Sequence, residues 1–244
     1  MDAQTLKRAL WRFAMRLTPF PMASPRDVSY WQNFWRSRPA DQLSPYATRT
    51  AKREWLAQRI IELKPATVLE LGCNLGANLR ALHEADASLV LYGIDINDAT
   101  LRLGREQLTA VDANAHLLQG SMADADRILP DGADVVLTSA AAMHIDDAMF
   151  ALTKRAALAI AKKAIVHLEY HAWTPAELEN GRAWRQTFLS DRWVRDYVAE
   201  YETEPRVSHV NCVRVPHAIN PHSFIGRVAI NDVTGLTVVG LTPC

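Results

Sequence analysis

The sequence predicts an α/β fold built on a largely parallel sheet. Short apolar runs alternate with longer amphipathic stretches from Thr67 to Tyr170. The short runs have the length of buried strands, and the longer stretches have the apolar spacing of helices. Strands and helices that alternate in this way form βαβ units, with helices on both faces of a parallel sheet. Two further observations support this fold: a glycine-rich turn follows the first strand, and an acid follows the second.

Each predicted strand is a short apolar run next to turn residues or a helix. The predicted strands are residues 67–71, 89–96, 116–120, 133–139 and 163–170. The predicted helices among them are residues 76–85, 98–108 and 146–161. Asp98 is expected to cap the second of these helices, because a carboxylate can accept hydrogen bonds from the unpaired amides of the first turn. The turn at 130–132 introduces the fourth strand.

The flanking segments follow other patterns. Residues 1–60 have no strand signal and are expected to form a helical cap on a main domain of residues 61–244. Residues 174–201 are predicted to be helical in their second half, and the tail after residue 205 is predicted to be β-rich. Its hairpin-like spacing predicts an antiparallel edge that closes the sheet. The apolar run 236–241 is expected to be either an edge strand or an interface of a homodimer.

Composition narrows the class of protein. Lys and Arg together number 27, as do Asp and Glu, so the formal net charge is zero. Proteins that bind duplex nucleic acid usually carry a basic excess, so this balance favours a small or neutral partner. The three cysteines are scattered and form no CxxC pair, which fits free thiols in a reducing cytoplasm. No apolar run has the length of a membrane span, and basic residues interrupt the N-terminal segment, which is predicted to be an amphipathic helix rather than a signal peptide.

The turn after the first predicted strand is the strongest binding signal. Three residues separate Gly72 from Gly76, a spacing that differs from the G-x-G-x-x-G of dinucleotide-binding turns. Glycine adopts backbone angles closed to other residues and lets a ligand approach the main chain. Amides at the start of the next helix favour an anionic group. Asp95 ends the second strand, where a carboxylate suits the vicinal hydroxyls of a ribose. These features predict a nucleoside whose other end bears a carboxylate.

The motifs, taken in order, resemble those of the class I S-adenosylmethionine-dependent methyltransferases. The resemblance covers about residues 65–170 and is carried by "ExGxxxG", "YGIDIN" and "LLQGSMAD…LPDGADVVLTSAAAMHI". It implies a Rossmann-like, seven-stranded, mostly parallel sheet and S-adenosyl-L-methionine as the cofactor. Within that superfamily, "CNLGANLRAL", "LTSAAAMHI" and the "EY" after the fifth strand are most similar to methylases associated with pseudaminic acid pathways.

The resemblance also implies roles for individual residues. The first motif, which would hold the methionine portion and the ribose, corresponds to Glu70, Gly72, Cys73, Asn74 and Gly76. The residues implied around the ribose, the adenine and the transferable methyl are Asp95, Ile96, Gly120, Ser121, Met122 and Ser139. Many relatives have an aspartate where Ser121 stands, so Asp124 or a backbone carbonyl is expected to contact the adenine amine instead. The Cys73 thiol is expected to be a small buried filler.

Methyl transfer requires the protein to position the acceptor and remove its proton. His144 follows the fourth strand and is a candidate general base, as are Glu169 and His171 at the end of the fifth strand. Each residue also has a structural interpretation: a histidine that is hydrogen-bonded to the backbone, or a carboxylate at a strand end whose hydrogen bonds are all made within the protein. The other histidines do not have the spacing of a metal site, so no metal is expected.

The sequence favours a methyltransferase that acts on an oxygen or nitrogen of a small, sugar-like or specialised metabolite. Two alternatives stay open: a macromolecular acceptor, protein or RNA, and a module that binds the cofactor without catalysis. "SAAA" stands where base-flipping enzymes carry an Asn-Pro-Pro-Tyr-like motif, which disfavours a nucleic acid acceptor. The glycine spacing disfavours a nicotinamide reductase.

Overall fold

A computed structural model describes residue 33 and residues 48–179, 193–216, 218–219, 224–225, 228–229 and 234–242. Most of the predicted helical cap, including the predicted N-terminal amphipathic helix, lies outside these residues. Residues 180–192 of the segment 174–201, which is predicted to be helical in its second half, also lie outside them. None of the described helices combines the length and the apolar character that a membrane span requires.

The alternation of strands and helices predicted for the centre of the chain is confirmed. The strands are β1 (Thr67–Leu71), β2 (Val90–Asp95), β3 (Ala115–Gln119), β4 (Ala133–Ser139), β5 (Ala161–Tyr170), β6 (Val207–Arg214), β7 (Phe224–Ile225), β8 (Val228–Ala229) and β9 (Thr234–Leu241). The α-helices are α1 (Ala51–Ile61), α2 (Ala77–Ala85), α3 (Asp98–Thr109), α4 (Ala125–Ile128), α5 (Asp147–Ile160) and α6 (Tyr197–Tyr201). Two short 3₁₀ turns, Met122–Asp124 and Ala142–His144, follow β3 and β4.

Seven strands form one sheet in the order β3-β2-β1-β4-β5-β9-β6. The first five are parallel to one another, and β9 is antiparallel to both of its neighbours. The predicted fold class is therefore confirmed, with one correction: β9 is antiparallel as predicted, but β6 forms the edge. The run 236–241 is thus an interior strand, and both of its sides are paired within the chain. β7 and β8, in the tail predicted to be β-rich, form a separate two-stranded antiparallel sheet.

Helices cover both faces of the sheet, as the βαβ pattern predicts. On one face α1 contributes Leu56 and Ile60 to the core that also holds Val68 of β1 and Leu91 of β2. On the other face α5 and α6 pack around the alternate side chains of β4 and β5. The predicted domain boundary at residue 60 falls one residue before the end of α1, a helix that shares the core of the sheet.

The predicted cap of α3 is wrong by one residue. Asn97, not Asp98, has the extended backbone of a cap, and its side chain accepts hydrogen bonds from Ala99 N and Thr100 N at 3.0 and 3.4 Å. Asp98 is already in the first turn, where its exposed carboxylate pairs with Arg102 at 3.3 Å. A capping side chain must precede the helical backbone, so the residue outside the helix takes the role.

Candidate functional site

Three loops meet at the carboxyl ends of β1, β3 and β4. A Cβ atom built on Gly72 would lie 2.6 Å from the Cβ of Ala141 and 3.4 Å from the Cε of Met122. The order of the strands reverses between β1 and β4. Open α/β sheets bind ligands at such a switch point, beyond the carboxyl ends of the strands. The loops that converge on Gly72 therefore mark the candidate site.

The turn from β1 into α2 has the geometry that its glycines predict. Gly72, Asn74 and Gly76 have φ angles of 76°, 51° and 72°, in the left-handed region. The amides of Gly72 and Cys73 both donate to Ile94 O, at 2.7 and 3.1 Å, and so tie the turn to the end of β2. Gly76 is the N-cap of α2 and has no side chain to accept the first-turn amides. Those amides remain available to a ligand.

Asp95 lies beside this turn, as the sequence predicts. Its Oδ2 accepts from Asn74 N at 2.8 Å, and its Oδ1 accepts from Asn97 N at 2.9 Å. Burial raises the pKa of the Asp95 carboxyl, while these amides and that of Ile96 oppose the rise. A carboxylate has about four acceptor positions, so three amides leave capacity for a hydroxyl group. The amide of Gly120 donates to Asp95 O at 2.9 Å, which brings the loop after β3 to the same place.

Glu70 has an unpaired oxygen in a buried position. The residue is 1% exposed; its Oε1 accepts from Asn78 Nδ2 at 2.6 Å, while its Oε2 has no hydrogen-bond partner in the structure as described. Burial raises the pKa of Glu70 to about 8, and Arg53 and Asn78 act against this rise. Asn74 Oδ1, in the glycine turn, is likewise buried without a partner among the described residues. Buried acceptors that lack a partner indicate a missing donor.

Cys73 contributes its main chain, not its thiol, to this edge. The side chain is buried, and a Cβ built on Gly93 would lie 2.6 Å from its sulfur, so the thiol packs against the middle of β2. Burial raises the pKa of the thiol well above its usual range, which makes it unreactive. The expectation of a buried filler is confirmed, and any contact with a ligand at this position falls to the backbone.

The loop after β3 presents a different polar pattern from the one expected. The Ser121 hydroxyl accepts from Ala123 N at 3.2 Å and caps the 3₁₀ turn. Asp124, expected as a substitute for the missing aspartate, instead pairs with Arg127 on the surface. Met122 packs toward Gly72, and half-buried Ser139 ends β4 across the site.

Glu169 is not placed for proton transfer, contrary to the catalytic role expected from its position. It is 1% exposed, and its Oε1 accepts from the amides of Ala141 and Ala142, both at 2.9 Å. Its Oε2 accepts from Met143 N at 3.2 Å, and the Thr138 hydroxyl also bonds to the carboxylate. The carboxylate thus holds the turn after β4.

His171 is also structural in this arrangement. Its ring is buried, its Nδ1 accepts from Tyr197 N at 3.2 Å, and its edge meets Trp173 at 4.5 Å between centroids. Burial lowers the pKa of His171, which keeps the ring neutral. His144 differs from both residues, because it is only half-buried and lies at the end of the 3₁₀ turn after β4. Of the three predicted bases, the geometry leaves His144 as the candidate.

The described residues contain no group of three or more His, Cys, Asp or Glu side chains that could hold a metal ion. His209 lies on β6, and the two other tail histidines considered, His217 and His222, lie outside the described residues.

The fold agrees with that of known proteins. Residues 68–163 match the family model of a methyltransferase domain. The matched region runs from β1 to the start of β5 and includes the three loops that meet at Gly72. No match to a curated protein is found.

Solved structures of methyltransferases share this fold at low sequence identity. A candidate O-methyltransferase from Nostoc punctiforme is 16% identical with a TM-score of 0.61, and the alignment covers 97% of this chain and 67% of that one. An O-methyltransferase family protein from Burkholderia thailandensis is 14% identical with a TM-score of 0.60, over 98% and 70% of the two chains. The mitomycin 7-O-methyltransferase is 16% identical with a TM-score of 0.54, over 89% and 58%. At these identities the similarity establishes the fold.

The candidate site has donors and acceptors that suit S-adenosylmethionine, the cofactor that the sequence resemblance implies. The unpaired oxygens of Glu70 and Asn74 fit the ammonium group of an amino acid. The free amides at the start of α2 fit an anion, and the remaining capacity of Asp95 fits a ribose hydroxyl.

The ionisation of Glu70 gives a first prediction. Because its pKa is about 8 in the folded protein and near 4.3 in an unfolded chain, the folded state binds the extra proton between these values. Its contribution to stability is complete below the lower value and is lost as the pH rises through the higher one. The ligand-free protein should therefore lose about 1 kcal/mol of unfolding free energy per pH unit in this window. Urea unfolding at pH 5.5–8.5 measures the slope.

Glu70→Gln should reduce that slope, and exposed Glu62→Gln provides the matched control. Asp95 and Glu169 are buried acids that act in the same direction, so the difference between variant and wild type isolates Glu70. Equal slopes in Glu70→Gln and in the wild type would contradict the prediction.

Proposed function

We propose that the protein transfers a methyl group from S-adenosylmethionine to an oxygen or nitrogen of a small, sugar-like or specialised metabolite. The observation that carries the proposal is the convergence at Gly72 of three loops with unpaired buried acceptors beside it. Several structural neighbours are described as O-methyltransferases, and one acts on mitomycin, which supports oxygen of a small molecule as the target. The similarity to pseudaminic acid methylases remains a prediction within this proposal.

The proposed cofactor contacts follow the order of the strands. Glu70 and Asn74 bind the amino acid end, and the main chain of Gly72, Cys73 and Gly76 lies against it. Asp95 accepts from the ribose hydroxyls, and Ile96 packs on the adenine ring. The loop after β3 surrounds the adenine edge through Gly120, Ser121 and Met122.

His144 is the proposed general base. It is half-buried and lies in the loop that begins at Ser139, beside the proposed position of the sulfonium group. The cofactor supplies the electrophilic methyl group when bound, so the protein needs only to orient the acceptor and take up its proton. An imidazole titrates near neutral pH and suits that task.

Titration calorimetry with S-adenosylmethionine tests the centre of the proposal. The wild type should bind it, and Asp95→Ala should weaken binding about 100-fold, because the ribose hydroxyls and the amides of Asn74 and Asn97 lose their acceptor. Asp98→Ala is the matched control, since its carboxylate is three residues away and its ion-pair partner among the described residues is exposed Arg102. Absence of binding, or equal affinity in Asp95→Ala, would contradict the proposal.

A panel of acceptors distinguishes the remaining functions. Turnover of hydroxylated or amino small molecules supports the proposal, whereas methylation confined to protein or RNA would replace the small-molecule acceptor. Tight cofactor binding without turnover of any acceptor would indicate a non-catalytic module.

A further inference from the structure

The loop after β4, residues 140–146, is held on two sides by buried charged groups. On one side the Glu169 carboxylate accepts hydrogen bonds from three consecutive amides of the loop, those of Ala141, Ala142 and Met143. Ala140 N donates to Leu168 O at 3.1 Å, and Ala140 has a φ angle of 53°, a left-handed conformation that alanine seldom adopts. A residue in this conformation persists only where the surrounding contacts determine it.

On the other side, Arg195 holds the carbonyl groups of the same loop. Its Nη1 donates to Ala142 O at 2.8 Å, and its Nη2 donates to Ile145 O at 2.6 Å. The neighbouring Trp193 N donates to Met143 O at 2.7 Å. Arg195 is 3% exposed, and its guanidinium lies 4.4 Å from the centre of the Phe150 ring. A buried guanidinium with two carbonyl partners is placed firmly.

Arg195 is itself attached to the end of β5 by its main chain. Its amide donates to Tyr170 O at 3.2 Å, and its carbonyl accepts from Ala172 N at 2.9 Å, so it forms a parallel bridge with His171. The guanidinium therefore reaches from the carboxyl end of β5 to the loop after β4. Glu169, on the same strand, reaches the amides of that loop.

The loop that Glu169 and Arg195 hold also borders the proposed cofactor site. Ala141 is the residue that Gly72 would meet if it had a Cβ, and His144 lies three residues further along. A displacement of the loop would change both the wall of the cofactor site and the place of the proposed base. A shift of about 1 Å in such a group is enough to reduce catalysis strongly.

We propose that Arg195 is a positioning residue of the methyl-transfer site, which acts through the carbonyls of Ala142 and Ile145 on the loop that borders the cofactor. The proposal rests on the function proposed above for the wider site. Arg195 touches neither substrate nor cofactor in it. A lysine at this position could reach only one carbonyl at a time, since it lacks the two-pronged geometry of the guanidinium.

The test compares Arg195→Met and Arg195→Lys with a matched control, Arg206→Met. Arg206 is half-buried and, like Arg195, binds two carbonyls, those of Leu158 and Ala161, but these lie at the opposite end of β5. Two measurements are made at a temperature where all variants are folded: hydrogen exchange of the amides of residues 141–145, and calorimetric titration with S-adenosylhomocysteine.

In Arg195→Met the loop amides should exchange about tenfold faster. Affinity for S-adenosylhomocysteine should fall about tenfold, because binding must then order the loop. Arg195→Lys should recover part of both losses, and Arg206→Met should change neither beyond its effect on global stability. Equal loop exchange in Arg195→Met and Arg206→Met would overturn the proposal. If the wild type fails to bind S-adenosylhomocysteine, the proposed function fails, and the exchange measurement still decides the role of Arg195.

Discussion

Replacement of Gly72 by alanine is expected to lower the free energy of unfolding by about 3 kcal/mol and to abolish detectable cofactor binding. The φ angle of 76° is costly for any residue with a Cβ, and the new atom would lie 2.6 Å from the Cβ of Ala141. Relief of that contact must push the loop after β4 away from the glycine turn. Urea unfolding measures the first effect, and calorimetry with S-adenosylmethionine measures the second.

The double variant Gly72→Ala/Ala141→Gly separates the two causes. It removes the atom that the new Cβ would meet but leaves the backbone strain at residue 72. Stability and binding should therefore recover in part, with a coupling energy of about 1 kcal/mol or more between the two positions. Independent, additive effects would show that the two loops do not touch as described, and unchanged binding in Gly72→Ala would place the cofactor elsewhere.

Replacement of Glu169 by alanine is expected to cost about 4 kcal/mol, the larger of the two effects on stability. The substitution leaves the amides of Ala141, Ala142 and Met143 buried without an acceptor. Each unpaired buried amide carries a penalty of about 1–3 kcal/mol, partly recovered if the loop opens to water. The midpoint and slope of urea unfolding measure this cost.

Glu169→Gln discriminates this structural role from catalysis. The amide keeps one oxygen for two of the loop amides and loses the other, so about half of the stability loss should remain. A general base would behave differently: Glu169→Gln would then abolish methyl transfer while the unfolding free energy stayed at the wild-type value. Thr138→Val is a useful companion, because it leaves the loop amides paired while it removes a further hydrogen bond to the carboxylate, together with the 2.7 Å contact of Thr138 Oγ1 with His167 Nδ1.

The sequence predicted those features that depend on neighbours in the chain. The bounds of β1 and β4 match the apolar runs because each run ends directly at a turn. Asp95 was recognisable because a carboxylate that ends a strand beside a glycine turn is a local pattern. The sequence did not predict Asn97 as the cap, because Asp98 beside it is an equally good capping residue type.

The sequence could not predict features that depend on distant partners. Glu169 and His171 have the chemistry of bases, and only their burial and their bonds to distant main-chain amides make them structural. Arg195 binds main-chain carbonyls about fifty positions earlier, and carbonyls carry no signature of residue type. Asn78 orients Glu70 from the first turn of α2, a contact that no spacing rule indicates.

The place of β9 inside the sheet bears on how the protein assembles. β9 is the last strand in chain order, yet it separates β5 from β6. Until the ribosome has synthesised β9, one edge of β5 is unpaired and β6 has no neighbouring strand in the sheet. The parallel strands β1 to β5 can pair early, whereas β6 can join the sheet only after β9 has paired with β5. That pairing is a long-range step, and long-range strand pairing is slow. A nascent or truncated chain without β9 would expose the unpaired backbone groups of both β5 and β6. Such edges bind chaperones or pair with other chains.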